Sequence, residues 1–355
     1  AKEILMKAVY RYGYEPLEID FRDVPVPECG PEDVIIDVQW AAICGSDVAT
    51  YFGGGPMGGL GTRGHEFAGI ICQVGELVTG WKVGDRVVSD NTGHVCGVCH
   101  ACTSGLFTNC VERVIIGGGM DGGFAKYVRI PGEILRIHKW ALLRVPENVP
   151  FEYASIMDPI CNAYKAVAQE SGLRPGESAI VFGPGPIGLL AAQFCHMLGA
   201  KDVILVGLSA DKELRADVAK QMGVTEFIAS DAEDLNARIH EICGREGADV
   251  AIDCAGAPIV LRQAIANVRK DGTIIKVGAS AAPLNFSLND VTYRSQTIKG
   301  HHAYDVTSWR NCMGLLEKNM LVLDPLITHK LPLDQWERGM HMMKDREGIK
   351  ILLKP

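Results

Sequence analysis

Four cysteines fall within one short segment of the chain. Cys96, Cys99, Cys102 and Cys110 span fifteen residues, with two residues between each of the first three and seven before the last. Such short spacings let one loop fold around an ion, and four thiolates complete the tetrahedral coordination of zinc with no open position. The spacing therefore predicts a structural zinc site.

A second set of metal ligands comes from two separate segments, Cys44-Gly45-Ser46-Asp47 and Gly64-His65-Glu66. One Cys and one His with a carboxylate nearby suit a catalytic zinc, which keeps one position open for a substrate oxygen. Zinc there would act as a Lewis acid that lowers the pKa of an alcohol and stabilises the alkoxide before hydride leaves. A lone Cys and a lone His are more often core residues, but the other motifs in this chain favour metal binding.

A glycine-rich turn follows a predicted strand and opens a predicted helix. It has the pattern G-x-G-x-x-G, formed by Gly183, Gly185, Pro186, Ile187 and Gly188 with one proline between the first two glycines. The first glycine makes a tight turn, the second lets the backbone approach a pyrophosphate, and the third lets the helix pack on the strand. The N–H groups at the start of the helix then face the phosphates. We expect NAD or NADP here; a glycine-rich turn without a ligand is the alternative.

The choice between NAD and NADP depends on the end of the next strand. An acid normally stands there and binds the ribose hydroxyls of NAD, but this chain has Gly207. Ser209, Lys212 or Arg215 could instead meet a 2′-phosphate, which favours NADP and predicts weak discrimination between the two cofactors. The two basic residues could equally be solvated charges on a helix.

The surrounding elements fall into two halves. Residues 1 to about 155 are rich in Gly, Pro and short β-branched runs, which predicts a mainly β half with strands at 34–38 and 86–88. Farther along, predicted strands alternate with amphipathic helices, which indicates a parallel sheet with right-handed crossovers. These strands are at 179–182, 203–206, 250–253 and 273–277, and helices at 308–318 and 335–344 with a strand at 349–353 follow them.

Composition limits the remaining possibilities. The chain has 355 residues, 47% of them hydrophobic and 22% charged, which predicts a soluble protein of two domains. Its net charge of −8 disfavours nucleic acid as a partner. No apolar run has the length of a membrane span and the N-terminal segment has no secretory signal, so we expect a cytoplasmic protein without a membrane partner. In such a compartment, clustered cysteines indicate metal ligands rather than disulfides.

Together these motifs resemble the medium-chain zinc-dependent alcohol dehydrogenases, in the branch of the sorbitol (polyol) and L-threonine dehydrogenases. The resemblance covers nearly the whole chain, including the segments at 64–66, 96–110, 121–125, 183–188 and 348–350. It implies a GroES-like β-rich catalytic domain, made of residues 1–157 and 299–355. A Rossmann domain with a doubly wound parallel sheet, residues 158–298, would interrupt it. The active site would lie in the cleft between the domains, and the protein would be a homodimer or homotetramer.

The resemblance also implies roles for single residues. Cys44 and His65 would be zinc ligands, and Glu66, the acid at Asp158, or water would complete the site. Glu66 would either bind the metal or exchange with substrate. Asp158 has a second interpretation as the N-cap of a helix that begins at Pro159. Ser46 would pass the substrate proton outward as a general acid–base.

Two departures from the family affect function. The proton relay of the family continues to a His where this chain has Ala49, so the proton must leave by water, by a ribose hydroxyl or by another side chain. The polyol-binding Arg of sorbitol dehydrogenases is replaced by Ala303. His301 and His302 stand just before it, and because neighbours on a strand point to opposite faces, at most one would face substrate.

The main hypothesis is a zinc-dependent oxidoreductase that transfers a hydride between a secondary alcohol and NAD(P). A polyol, a cyclitol or a sugar-derived alcohol, with its matching ketone, is the expected small-molecule partner. L-threonine 3-dehydrogenase is the alternative within the family. A non-catalytic dinucleotide-binding protein is the alternative outside it, and the joint presence of Cys44, His65, Glu66 and Asp158 argues against that.

Overall fold

The computed structural model describes residues 4–53 and 58–355. Its strands are β1 (Leu5–Arg11), β2 (Ile19–Pro25), β3 (Val34–Ala42), β4 (Gly61–Thr62), β5 (Glu66–Val74), β6 (Arg86–Ser89), β7 (Thr92–His94), β8 (Val114–Ile115), β9 (Tyr127–Ile130), β10 (Leu142–Arg144), β11 (Ser178–Phe182), β12 (Asp202–Gly207), β13 (Glu226–Ala229), β14 (Ala248–Asp253), β15 (Val268–Lys276), β16 (Thr297–Gly300), β17 (Ile327–Pro332) and β18 (Lys350–Lys354). Its α-helices are α1 (Gly45–Phe52), α2 (His100–Thr103), α3 (Gly132–Ile137), α4 (Phe151–Ala154), α5 (Met157–Tyr164), α6 (Pro186–Met197), α7 (Lys212–Gln221), α8 (Leu235–Cys243), α9 (Pro258–Asn267), α10 (Asn289–Arg294), α11 (Val306–Glu317) and α12 (Trp336–Lys344).

These elements form two compact units. The first comprises the described residues of Ala1–Asp158 together with Tyr304–Leu323 and Ile327–Pro355. The second comprises Pro159–Ala303 and Asp324–Leu326. Among the described residues, the helices include none that is long and apolar enough to cross a membrane.

The first unit is mainly β, as its composition predicts. Its largest sheet has the strand order β10-β6-β5-β3-β18-β17, and β9 pairs with β3 as well. Strand β3 runs antiparallel to β5 and places Ala42 opposite Glu66. Strand β18 is antiparallel to the other edge of β3 and pairs Leu352 with Ala42. The end of β3, the start of β5 and the start of β18 therefore meet in one place.

The second unit is a Rossmann fold. Its six strands are all parallel and follow the order β13-β12-β11-β14-β15-β16, which is the doubly wound order 3-2-1-4-5-6 counted within the unit. The four predicted strands correspond to β11, β12, β14 and β15. Helix α6 differs from the amphipathic prediction, since every residue from Gly188 to Cys195 is buried. Apart from Gln193 this run is apolar on all sides, and such helices are covered all round.

Helices α11 and α5 begin at residues other than those that the sequence predicted. Helix α11 begins at Val306, two residues early, because the carboxylate of Asp305 accepts a hydrogen bond of 2.8 Å from the Ser308 amide and caps the helix. Helix α5 begins at Met157, so Asp158 lies in its first turn and is not its N-cap. Asp158 and Pro159 thus occupy the second and third positions of this helix.

Candidate active site

Three side chains with metal-ligating atoms meet in the first unit. Cys44 is the N-cap residue of α1, two residues beyond the end of β3, while His65 and Glu66 stand at the start of β5. One ligand atom of each lies within 4.8 Å of those of the others. The antiparallel pairing of β3 with β5 brings these segments together, and the sequence predicted this grouping of Cys, His and Glu.

A glycine before the histidine is required by the local packing. Gly64 has φ +95°, a conformation that residues with a side chain rarely adopt. A Cβ atom at this position would lie 2.6 Å from the backbone nitrogen of Phe124. Gly64 therefore lets the chain pass close to the segment of Phe124 before it presents His65 and Glu66 to the site.

His65 is buried against an acid that the sequence reasoning did not single out. Nδ1 of His65 lies 3.7 Å from Oδ1 of Asp47, and Nη2 of Arg63 lies 3.8 Å from the same oxygen. Burial opposes the charged imidazole, but Asp47 and Cys44 raise the pKa of His65 well above its usual value. Burial acts to raise the pKa of Asp47, but His65 and Arg63 lower it.

Glu66 is paired with a lysine from the last strand. Nζ of Lys350, at the start of β18, lies 2.5 Å from Oε2 of Glu66 and donates a hydrogen bond of 3.0 Å to the carbonyl of Ile43. Both side chains are almost completely buried. Burial raises the pKa of Glu66, and Lys350 opposes this shift. Burial works against the charge of Lys350, but the carboxylate of Glu66 raises its pKa.

Asp158 lies outside the group whose ligand atoms are mutually within 4.8 Å. Its carboxylate is near enough to act on the pKa of both Glu66 and Lys350. Oδ2 of Asp158 accepts a hydrogen bond of 2.9 Å from Nδ2 of Asn91, whose own Oδ1 accepts one of 2.5 Å from Nη2 of Arg113. Asn91 was missed by the sequence reasoning, and it has φ +56°, which Asn tolerates better than most residues.

The other predicted members of the site lie on α1 and beyond β16. Ser46 is a half-buried residue in the first turn of α1, and Ala49 is exposed on the same helix. The ring of His301 is buried, with Nδ1 2.7 Å from Oε2 of Glu170 and Nε2 3.1 Å from Oδ1 of Asn162. β16 ends at Gly300, so neither histidine belongs to this strand.

The four cysteines of the short segment also come together. Their four sulfur atoms lie within 4.8 Å of one another, in the group formed by Cys96, Cys99, Cys102 and Cys110. Backbone amides already point at these sulfurs, for example from Cys96 to Cys110 over 3.3 Å and from Cys99 to Cys96 over 3.4 Å. The amide of Cys102, with that of Val111, lowers the pKa of Cys99 to about 6, whereas burial raises the pKa of Cys102 to about 12. Cys99 is thus the thiol that most readily forms the thiolate that zinc binds.

The glycine turn has the geometry that its pattern predicts. Gly183 has φ +93°, and a Cβ on Gly188 would lie 1.8 Å from the carbonyl oxygen of Gly183. α6 begins at Pro186, with Gly185 as its N-cap residue, and a Cβ at Gly185 would meet nothing within 4 Å among the described residues. The turn is therefore closed on the side of the sheet and open on the side where a pyrophosphate would approach the amides.

The residues expected at the ribose end lie along the edge of the sheet. Gly207 ends β12, Ser209 and Lys212 are exposed just beyond it, and Arg215 is buried on α7. A Cβ on Gly207 would lie 2.9 Å from both Cζ of Phe227 and Cγ of Pro184. These two rings fill the space that an acid at the strand end would need.

The hydrogen bonding of the buried polar atoms indicates whether a metal would fit the group of Cys44, His65 and Glu66. Oε1 of Glu66 is buried and makes no hydrogen bond within 4–53 and 58–355, whereas Oε2 pairs with Lys350 and Nδ1 of His65 faces Asp47. Buried groups of this kind normally have a partner, which can be an ion. A thiol, an imidazole and a carboxylate are the donor set that catalytic zinc prefers. The residues present fit zinc.

Comparisons with known proteins agree with this architecture. The family model of the alcohol dehydrogenase GroES-like domain matches residues 30–139, and that of the zinc-binding dehydrogenases matches residues 186–318. A solved structure of a zinc-binding dehydrogenase from Sinorhizobium meliloti 1021, bound to NADP, is similar over 99% of this chain and 100% of its own, with a TM-score of 0.88 and 27% identity.

Relatives in sequence cover almost the full length. A zinc-type alcohol dehydrogenase-like protein of Escherichia coli (strain K12), YdjL, is 47% identical over 98% of each chain. A sorbitol dehydrogenase of Halalkalibacterium halodurans is 35% identical over 99% of each. An L-threonine 3-dehydrogenase of Proteus mirabilis is 32% identical over 98% of this chain and 99% of its own. This chain is thus an enzyme that belongs to the medium-chain, zinc-dependent alcohol dehydrogenase superfamily.

Proposed function

We propose that the chain transfers a hydride between a secondary alcohol of the polyol, cyclitol or sugar-derived class and NAD(P), with Cys44, His65 and Glu66 as its zinc ligands. The observation that carries this proposal is the meeting of a half-buried thiol with a buried imidazole and a buried carboxylate, whose Oε1 makes no hydrogen bond among the described residues. Zinc, when bound there, would supply Lewis-acid activation of the alcohol oxygen. The sorbitol dehydrogenase relative supports the substrate class.

Asp47 and Lys350 would orient two of these ligands. Asp47 faces Nδ1 of His65, and a carboxylate in this position fixes the ring and its tautomer so that the other nitrogen can bind a metal. Lys350 holds Glu66 by charge and fixes the end of the carboxylate that it faces. Asp158, held by Asn91, adds a second negative charge beside Glu66 and would bind at the metal site or just behind it.

The substrate proton would leave through Ser46. Ser46 lies in the first turn of α1, two residues after Cys44, and its hydroxyl can both accept and donate a proton. Ala49 carries no group that can continue this path, and its exposure leaves the surface of α1 open to water. Water would therefore receive the proton that a histidine carries in the family pattern.

The glycine turn would bind the pyrophosphate of the dinucleotide. The N-terminus of α6 and the open side of Gly185 offer amides to the phosphates, while Gly183 and Gly188 keep the turn tight. Pro186 and Ile187 would form the first turn of the helix over which the cofactor lies.

A panel of substrates tests the proposal. Zinc content per chain should be two, and oxidation of polyols and cyclitols with NAD and NADP should exceed that of simple primary alcohols by at least about tenfold in kcat/KM. A zinc content of one or none with no turnover of any alcohol would favour a non-catalytic dinucleotide-binding protein.

L-threonine 3-dehydrogenase is a second candidate. The 32% identical relative and the acid of Asp158, followed by Pro159, support it. A kcat/KM for L-threonine above that of every polyol in the same panel would replace the first candidate with this one. For either substrate we propose a cytoplasmic homodimer or homotetramer, which light scattering in solution would test.

A further inference from the structure

The cofactor preference can be inferred from the charges at the ribose end, given the dinucleotide binding proposed above. In a Rossmann fold the adenosine ribose lies at the carboxyl end of the second strand, here β12. A side chain at Gly207 would require Phe227 and Pro184 to move, so the usual acid cannot stand there without repacking. A group that binds the 2′ position would therefore lie beyond the end of β12 or on a neighbouring segment.

The neighbouring segment follows β13. Strands β12 and β13 are parallel and pair Gly207 with Ala229. Asp231 stands two residues after Ala229 and Ser209 two residues after Gly207, so both reach the same edge of the sheet. The amide of Ser209 donates to Oδ1 of Asp231 over 2.7 Å, and its hydroxyl donates to Oδ2 over 2.6 Å. Both residues are exposed.

This contact fixes a charged carboxylate at the edge. The hydrogen bonds from Ser209 lower the pKa of Asp231, which is therefore ionised at neutral pH. Each carboxylate oxygen can accept more than one hydrogen bond, so Asp231 can still accept from a ribose hydroxyl. Both donors of Ser209, the first candidate for binding a 2′-phosphate, are already used by an anion.

The two basic residues that could bind a 2′-phosphate each lie close to a carboxylate. Nζ of Lys212 lies 3.2 Å from Oε1 of Glu233. Nη1 of Arg215 lies 3.5 Å from Oδ1 of Asp211, and both of these side chains are buried. Each group that a 2′-phosphate could use thus faces a carboxylate.

We propose that Asp231, presented by Ser209, takes the place of the missing strand-end acid and makes the enzyme specific for NAD. Its carboxylate would accept a hydrogen bond from the 2′-hydroxyl of NAD and repel the 2′-phosphate of NADP. Like charges in contact cost several kcal/mol, so NADP should bind about a hundredfold more weakly than NAD. This reverses the preference that Gly207 alone indicates.

Binding of both nucleotides to the zinc-loaded enzyme, measured by calorimetry without alcohol, tests the proposal. Asp231→Asn should reduce the preference for NAD to about tenfold or less, because it removes the charge. Asp234→Asn is the matched control. It removes an equal charge three residues away, from an exposed carboxylate that caps α8, and should leave the ratio of the two Kd values unchanged.

The outcomes separate this proposal from the one on which it rests. Equal or tighter binding of NADP to the unmodified enzyme would overturn the role of Asp231 while dinucleotide binding stood. The same holds if Asp234→Asn changes the ratio as much as Asp231→Asn does. Binding of neither nucleotide would overturn both proposals, whereas a large NAD preference that only Asp231→Asn removes supports them.

Discussion

The two candidate metal sites of the first unit are built in opposite ways. The four cysteines lie within fifteen residues of one loop, and their own backbone amides point at the sulfurs. The group of Cys44, His65 and Glu66 comes from two segments and depends on Lys350 from a third, at the other end of the chain. Local sequence specifies the first site, whereas only the folded sheet assembles the second.

The sites also differ in how charge is balanced. The cysteine group combines thiols only and can close around zinc, which suits a structural role. The other group contains buried ionic side chains of both signs, held by Asp47, Arg63 and Lys350. Keeping such charges in the interior is costly unless each is paired, and functional sites are where that cost is met. The following variants test this contrast.

Loss of a ligand at the buried site should have the largest effect on activity. Cys44→Ser should lower kcat/KM about a thousandfold or more, since the metal contributes several kcal/mol to the reaction. Zinc content should fall by one equivalent, while the Kd for the nucleotide stays within about twofold, because the glycine turn belongs to the second unit. Steady-state kinetics, metal analysis and calorimetry measure these three quantities. Near-normal turnover would show that Cys44 is not a ligand.

Loss of a ligand in the cysteine group should instead act on stability. Cys102→Ser should remove one equivalent of zinc and lower the free energy of unfolding by on the order of 5 kcal/mol, because thiolate ligation supplies local folding energy. The zinc of the other site should remain. Metal analysis and urea unfolding measure the two effects. An unchanged zinc content would contradict the assignment of Cys102 as a ligand of the structural zinc. Cys312→Ser, at a buried cysteine away from both groups, is the control for loss of a thiol.

The buried ion pair predicts a stability effect that depends on the metal. Lys350→Met leaves Glu66 buried without its cation, which should cost about 3–5 kcal/mol in protein treated with chelator. Zinc would neutralise the same carboxylate, so the loss should be smaller in the zinc-loaded protein. Urea unfolding with and without zinc measures the difference. Lys330→Met is the control, because Lys330 pairs with Glu152 at an exposed position and should cost at most about 1 kcal/mol.

An equal cost of Lys350→Met in both metal states would contradict this interpretation. It would mean that Glu66 keeps its charge balance through Lys350 whether or not a metal is bound. A cost as small as that of Lys330→Met would show that the pair does not hold Glu66 at all.

The same contrast explains what could be predicted from the sequence. The glycine turn, the alternation of strands and helices, and the cysteine spacing depend on neighbours in the chain, and the parallel sheet and the mainly β half followed from such local patterns. The GroES-like assignment of that half came from the family resemblance. Lys350, Asp47 and Asn91 act through residues that only the fold brings near. Lys350 had a usable signal, since a lysine at the start of the apolar strand β18 needs a buried partner.

The proposed preference for NAD depends on a residue that the sequence does not indicate, for a related reason. The usual place for this acid is the end of β12, where a side chain would require Phe227 and Pro184 to move. Asp231 belongs to the next strand-end loop and reaches the edge only because β13 lies beside β12. A rule that counts residues along one strand cannot find a side chain supplied by its neighbour in the sheet.

The link between the two metal sites gives the smallest expected effect. Arg113 follows Cys110 by three residues, and its guanidinium donates to Asn91, which in turn donates to Asp158 beside Glu66. The loop that carries the cysteines therefore supports an acid of the buried site through one asparagine. We expect this support to affect metal binding more than overall stability.

Asn91→Gly tests that support without straining the backbone. The φ of +56° suits glycine, so the substitution removes the amide side chain and leaves the turn acceptable. Partners that orient a metal ligand typically contribute tenfold or more to affinity, so the zinc at Cys44 and His65 should be lost at about tenfold lower chelator concentration. The zinc of the four cysteines, followed in the same titration, should leave at an unchanged concentration. If both zincs were released more easily, Asn91 would be stabilising the unit as a whole, and if neither were, Asp158 would hold its place without the asparagine.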